Sequence, residues 1–221
     1  MIRADRTSLI YEDHGRKVHA CDEIDLEIRQ GEFVGILGPS GSGKSSLLYL
    51  MSGLKSPTSG NVYWKGSPIH LRSDDERSHL RLREFGFVFQ QPYLIGYLTA
   101  LENVILSDPT NWRHGEELLE EVGLSSNAHR RPHELSVGER QRVAVARALF
   151  SRPKVVFADE PTAALDHVTG ERIVRLLNKR RGEGALVMVT HDPSMLGEAD
   201  RVLHLVDGRL HENPSSQLPP R

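Results

Sequence analysis

Gly38-Pro39-Ser40-Gly41-Ser42-Gly43-Lys44-Ser45 is the stretch on which the reading of this chain turns. It fits the pattern G-x-x-x-x-G-K-[ST], whose backbone cradles phosphates. Gly41 and Gly43 have no β-carbon, so the backbone there can take positive φ and lie directly against a ligand. Successive N–H groups turned inward form an anion-binding nest. The helix that follows adds the positive end of its dipole. In this pattern Lys44 offers a point charge to the β- and γ-phosphates, and the Ser45 hydroxyl reaches a magnesium ion. The flanks agree. Glu32 to Leu37 reads as a short apolar strand, and Ser46 to Met51 as a helix. A glycine-serine turn arising by chance would not come with that setting.

Composition narrows the class. The 221 residues suffice for one or two compact domains, and the 38% apolar and 26% charged shares are ordinary for a soluble globular chain. The net charge of −2 provides no basic field, so nucleic acid is not an expected partner. A single cysteine, Cys21, excludes an internal disulfide and reads as a small apolar filler. No apolar run approaches the roughly 20 residues a membrane span needs, and Met1 to Thr7 does not lead into a signal-peptide core. The expectation is a cytoplasmic chain, peripheral on the inner face of the membrane through a separate partner. Eleven histidines raise the question of a metal. His129 and His133 straddle Pro132, which breaks helical spacing, and neither they nor His14 and His19 gain a completing cysteine or carboxylate. They read as solvated surface groups.

Along the chain, Leu9-Ile10-Tyr11 reads as the end of an edge strand and Glu12 to Lys17 as a polar turn. Ile24 to Ile28 alternates with period two, as a half-buried strand does. Strands are also expected from Asn61, over Phe85 to Phe89, Val155 to Ala158, Ala185 to Thr190 and Arg201 to Val206, the last followed by an Asp207-Gly208 hairpin turn. Residues Ser73 to Arg83, Glu116 to Val122, Val143 to Leu149 and Gly170 to Lys179 read as helices. Thr99 and Glu102 form a capping box, Gly123 a stop signal, and Ser136 a candidate cap. Pro92 to Phe150 lacks strand signals and reads as a helical insertion. Strands alternating with helices around a phosphate loop imply an α/β parallel sheet with functional residues at strand C-termini. The expected division is one domain over 1–221. A nucleotide-binding core with a β subdomain takes 1–91 and 151–212, a helical subdomain 92–150, and a disordered Pro/Ser-rich tail 213–221.

One strand end carries chemistry. Val155 to Ala158 is apolar and ends in Asp159-Glu160, which puts two carboxylates at the edge where phosphates would sit. Asp159 can hold magnesium, and Glu160 can orient or deprotonate a water.

With these residues in view, the chain resembles the nucleotide-binding subunit of an ATP-binding cassette (ABC) transporter over nearly its whole length. Val155 to Glu160 resembles the Walker B strand. Leu135-Ser136-Val137-Gly138-Glu139, followed by Arg140-Gln141-Arg142, resembles the family signature. Gln90 resembles the Q-loop glutamine, Ala164-Leu165-Asp166 the D-loop, His191 the switch histidine, and Tyr11 the aromatic that stacks on adenine. The resemblance implies a P-loop NTPase with a RecA-like parallel core, an N-terminal antiparallel β subdomain and a helical subdomain. It implies ATP and Mg2+ as ligands, the nucleotide held by Tyr11 and Gly38 through Ser46, and the metal by Ser45, Gln90 and Asp159. Two copies would face head to tail around two ATP molecules, with Ser136 and the amides near Gly138 meeting the partner's γ-phosphate. Glu160, His191 and Gln90 would serve hydrolysis, and Asp166 would act across the dimer.

Two positions depart from the family pattern: Val137 replaces the usual glycine, and Glu139 stands where glutamine is common. A β-branched residue disfavours positive φ. If position 137 needs that backbone, contact across the dimer weakens. The amides at the helix start would still point at the phosphate, so the loop is expected to tolerate valine. Phe85 to Gln90, Leu98 to Val104 and Arg131 to Leu135 resemble the exporter branch that includes lipoprotein-releasing, macrolide-efflux and cell-division-associated ATPases. Ile105 to Glu117, where a membrane partner would dock, is shorter than in those relatives. The expected function is therefore the ATP-hydrolysing subunit that drives a separate permease, in export or in lipoprotein, peptide or drug extrusion. The alternatives are a regulatory ATPase of the cell-division type that moves no cargo, and a soluble DNA-repair or translation ABC ATPase.

Overall fold

The computed structural model describes residues 1–13 and 15–212, so the expected tail lies outside the described residues. Strands β1 (Ile2–Asp13) and β2 (Arg16–Ile28) form a long antiparallel hairpin. The strand β4 (Ser59–Trp64) and the short β5 (Ser67–Pro68) extend it into a four-stranded sheet of order β2-β1-β4-β5. The second sheet contains β3 (Phe33–Leu37), β6 (Phe85–Val88), β7 (Val155–Asp159), β8 (Ala185–Thr190), β9 (Arg201–Val206) and β10 (Arg209–Glu212). Its order is β10-β9-β3-β8-β7-β6, parallel throughout except for the β9–β10 hairpin. Asp207 and Gly208, at φ 48 and 77, make the expected turn of that hairpin. The helices are α1 (Lys44–Met51), α2 (Asp74–Glu84), α3 (Ala100–Val104), α4 (Trp112–Glu121), α5 (Val137–Phe150) and α6 (His167–Arg180). No strand falls within 92–150.

The apolar runs explain the parallel sheet. Every residue of β7 and β8 is buried, as strands covered on both faces must be. Side chains alternate between two cores. Val156, Ala158, Leu186 and Met188 face the helices α3 to α6, while Val155, Phe157, Val187 and Val189 face α1 and the antiparallel sheet. Phe157 stacks on Phe87 at 5.7 Å and meets Phe85 edge-on at 5.3 Å, centroid to centroid. Truncating such a fully buried ring costs about 3–5 kcal/mol.

Several expected boundaries move, each for a local reason. Tyr11 does not end its strand, which runs on to Asp13; β1 lies between β2 and β4 over Ile2 to Ser8, while at Tyr11 its ladder partner is β2. Register shifts interrupt its pairing, with Arg6 at φ 40 beside one of them, so a clean period-two pattern never forms. Helix α5 starts at Val137, not Val143. Ser136 Oγ accepts the Glu139 N–H at 3.2 Å, and the Glu139 carboxylate accepts the Ser136 N–H at 2.7 Å. This capping box overrides the glycine at 138. Helix α6 starts at His167 rather than Gly170, because Asp166 caps it by accepting from Thr169 N at 3.0 Å. Helix α4 begins at Trp112, and Gly123 follows its end at φ 71, as expected.

This topology aims four strand ends at one edge. Strand β3 runs into Gly38, β6 leads to Gln90, β7 ends at Asp159, and β8 runs into His191.

Candidate functional site

The loop after β3 has the geometry its sequence requires. Gly41 and Gly43 stand at φ 81 and 99. A β-carbon on Gly43 would lie 1.9 Å from the Ala20 carbonyl oxygen, and one on Gly38 would lie 2.3 Å from the Leu205 carbonyl oxygen. Glycine is thus demanded twice over, by dihedral at 43 and by close packing at both. Helix α1 opens at Lys44, two residues earlier than its apolar run suggests, with Gly43 as its left-handed cap. Lys44 is buried to 8% exposure, and its Nζ donates to the carbonyls of Gly38 at 2.7 Å and Pro39 at 3.0 Å. Ser42 Oγ is buried with no partner. A cation folded over the loop and an unpaired hydroxyl inside it suit an anion better than they suit one another.

A cleft of about 670 Å³ opens here, lined by Tyr11, Ser40 to Gly41, Gly43 to Ser46, Gln90, Asp159, Glu160 and His191. Ser45 Oγ donates to Asp159 Oδ1 at 3.0 Å. Burial pushes the Asp159 carboxyl above its usual range; the Ser45 hydroxyl and Lys44 work against this, and the neighbouring Glu160 charge adds to it. A hydroxyl and a reluctantly ionised carboxylate side by side are hard oxygen donors that fit a magnesium ion. Glu160 is 8% exposed and stands at φ 46, a left-handed backbone that a non-glycine residue adopts only under surrounding constraint. Its N–H donates to Val189 O at 2.9 Å, while its carboxylate oxygens meet Thr190 Oγ1 at 3.1 Å and His191 Nδ1 at 2.9 Å. The Tyr11 hydroxyl lies 3.5 Å from Ser46 Oγ at the cleft's other end.

Not every expected site residue joins this cleft. Leu135, Ser136, Val137, Gly138 and Glu139 do not line it, and neither does Asp166. Gly138 instead packs against the segment leading to Asp166, since a β-carbon there would lie 3.1 Å from the Ala164 carbonyl oxygen and 3.3 Å from Leu165 Cδ2. Val137 is the first residue of α5, without positive φ, and its side chain is 54% exposed. The feared need for a glycine backbone at 137 does not arise. Sequence reasoning missed Thr190, although it directly precedes His191 at a strand end. It also missed Tyr49, whose hydroxyl reaches Asp159 Oδ2 at 3.5 Å, and Val18, His19 and Ala20 of β2, which line the cleft. Those three reach it only through sheet-on-sheet packing, which leaves no local signal. His129 and His133 are exposed, and among the described residues no cluster of three or more His, Cys, Asp or Glu could hold a metal. Among those residues, no helix is long and apolar enough to cross a membrane.

A glycine-rich phosphate loop between a parallel strand and a helix, with two carboxylates beside it at the same sheet edge, defines a P-loop nucleoside triphosphatase. The comparisons refine the class. The family model described as ABC transporter matches residues 21–163. The lipoprotein-releasing system ATP-binding protein LolD of Xanthomonas campestris pv. campestris is 43% identical, covering 96% of this chain and 92% of its own. An ABC transporter ATP-binding protein of Methanocaldococcus jannaschii, MJ1508, is 42% identical over 96% of this chain and 98% of its own. Among solved structures, a dimeric post-hydrolysis state of the ATP-binding cassette MJ0796 bound to ADP and Pi superposes with a TM-score of 0.90 at 38% identity. It covers 96% of this chain and 98% of that one. The chain belongs to the ABC transporter family, as one of its ATP-binding, ATP-hydrolysing subunits.

Proposed function

We propose that this chain is a single cassette that pairs with a second copy around two ATP molecules and drives a separate membrane permease. The observation that carries the reading is a division of the site. One cleft holds the phosphate loop, Asp159, Glu160, Gln90 and His191, whereas the signature residues 135–139 lie outside it. An anion-binding helix start that misses its own cleft is accounted for if it closes the cleft of a partner. The dimeric state of MJ0796 supports this.

In the proposed site, the loop Gly38 to Ser46 wraps the phosphates, with the N–H groups from Ser40 onward as donors since Pro39 has none, Lys44 turns from the loop carbonyls to the phosphate charge, and Tyr11 stacks on the base. Ser45, Asp159 and Gln90 would hold Mg2+, which when bound would neutralise phosphate charge. Glu160 accepts a proton from, or orients, the attacking water. His191, tethered through Nδ1, turns Nε2 toward the terminal phosphate. From the other copy, Ser136 and the amides at Gly138 complete the cage, with Asp166 beside them. Losing the shared phosphate removes what joins the copies, so they part.

A second groove, of about 660 Å³, supports the permease partner. It runs between α2, β6, α3 and α5 and exposes Leu54, Leu82 and Leu106 over an apolar floor of Phe87 and Phe89. Exposed apolar groups gathered on one groove mark a docking surface. The chain would thus sit peripherally on the inner face of the membrane. The relatives' lipoprotein-releasing names support export or lipoprotein, peptide or drug extrusion as the work done. The test is purified chain with its permease under magnesium-ATP. Dimerisation by light scattering together with phosphate release is expected; a monomer that hydrolyses none refutes the reading.

A further inference from the structure

Between Val88 and Ala100 the chain forms no helix or strand, yet it delivers Gln90 to the nucleotide cleft. Its backbone is held by side chains of α5. Gln141 Nε2 donates to Phe89 O at 3.0 Å. The two terminal nitrogens of Arg147 fork onto Pro92 O at 2.6 Å and Tyr93 O at 2.9 Å. Gln90 therefore sits between tethered carbonyls. Tyr93 stands at φ 45, a left-handed backbone that an unrestrained tyrosine would leave.

Gln141 is a costly way to fill its place. It is 1% exposed among apolar residues of the core, and its Oε1 is buried without a hydrogen-bond partner. An unpaired buried carbonyl destabilises the fold, and a leucine would pack there without that penalty. What glutamine adds is the N–H on Phe89. Arg147 is similar: half-buried, its guanidinium pushed below its usual range by desolvation, with a flat fork suited to two carbonyls at once.

We propose that Gln141 and Arg147 are positioning residues for Gln90. They fix residues 89–93 to the helix that Ser136 begins, so the presentation of Gln90 to one nucleotide and of Ser136 to another is set by one rigid piece. This rests on the reading that Gln90 serves the nucleotide.

The test uses the purified full-length chain. Gln141→Leu is expected to lower kcat about tenfold while KM for ATP stays within about twofold, because the binding loop is untouched. Without nucleotide, amide hydrogen exchange over 89–97 should speed up in Gln141→Leu, with the phosphate loop unchanged. Gln90→Ala combined with Gln141→Leu should be no slower than Gln90→Ala alone, since the second residue acts through the first. Arg147→Lys keeps the stem and charge but not the fork, and should repeat the pattern if Gln141→Leu folds poorly. An unchanged kcat in both variants, or losses that multiply with Gln90→Ala, overturns the proposal. If Gln90→Ala itself leaves kcat unchanged, the role of Gln90 falls and this inference with it; a Gln90→Ala defect with none from either variant overturns the positioning alone.

Discussion

Nδ1 of His191 lies 2.9 Å from Oε1 of Glu160, so the exposed imidazole is hung on a carboxylate that is itself almost fully buried. The other oxygen of Glu160 accepts from Thr190 at 3.1 Å. The carboxylate is thus aimed by two neighbours on one strand end, and His191 Nε2 is left for a ligand. Glu160→Gln keeps the shape and removes the proposed base. Turnover should fall about a hundred- to ten-thousand-fold, the range general-base catalysis supplies. ATP should stay bound, and a stable dimer should accumulate on size exclusion. Unchanged turnover would remove Glu160 from its role.

Asp159, the proposed magnesium ligand, is a buried carboxyl whose ionisation costs stability. Burial raises its carboxyl above the ordinary aspartate value of 3.8, so the folded chain holds that proton to higher pH than the unfolded chain does. Over the window from about 3.8 up to the raised value, the folded state binds more protons. Stability therefore falls as pH rises through the window and stays lower above it. Asp159→Asn removes this. In metal-free, nucleotide-free protein, the variant should melt higher by about 2–4 °C at neutral pH, corresponding to roughly 1 kcal/mol in a chain of this size. The difference should vanish below the window. A melting difference independent of pH would show that the buried charge is not its source.

These two predictions depend on geometry that the sequence discloses unevenly. The strand ends were legible, because Val155 to Asp159 and Ala185 to Thr190 are uninterrupted apolar runs whose last residues must emerge together at one edge. Gly41 and Gly43 were legible for the same reason, since their conformation is a local requirement. The contribution of Val18 to Ala20 was not, because it depends on how the antiparallel sheet lies over the phosphate loop. The sequence conceals the start of α5 because Val137-Gly138 has poor helix propensity. The reciprocal bonds of Ser136 and Glu139, a cap worth about 1 kcal/mol or more, offset that.

Val137 occupies the first turn of α5 with ordinary helical backbone and an exposed side chain. Replacing it with glycine relieves no strain and removes little packing. Val137→Gly should change kcat/KM for ATP by less than about threefold, and the helix should weaken by under about 1 kcal/mol. A tenfold gain, about 1.4 kcal/mol of barrier, would instead show that valine obstructs the partner's nucleotide.

Gly138 sets two effects against each other. It is the second residue of α5, where alanine would favour the helix by up to about 1 kcal/mol. The added β-carbon would lie 3.1 Å from Ala164 O and 3.3 Å from Leu165 Cδ2. Overpacking of that kind costs about 1–3 kcal/mol when neighbours are rigid. Here they are not: Ala164 and Leu165 belong to a half-buried loop that can give by a few tenths of an ångström. The two terms should nearly cancel, and Gly138→Ala should melt within about 3 °C of the parent. The displaced loop carries Asp166, and the added methyl stands at the helix start proposed to meet the partner's phosphate. Hydrolysis should therefore fall tenfold or more, about 1.4 kcal/mol of barrier, while stability hardly moves. Stability and hydrolysis both unchanged would show that the seam between residues 138 and 164 has no part in the reaction.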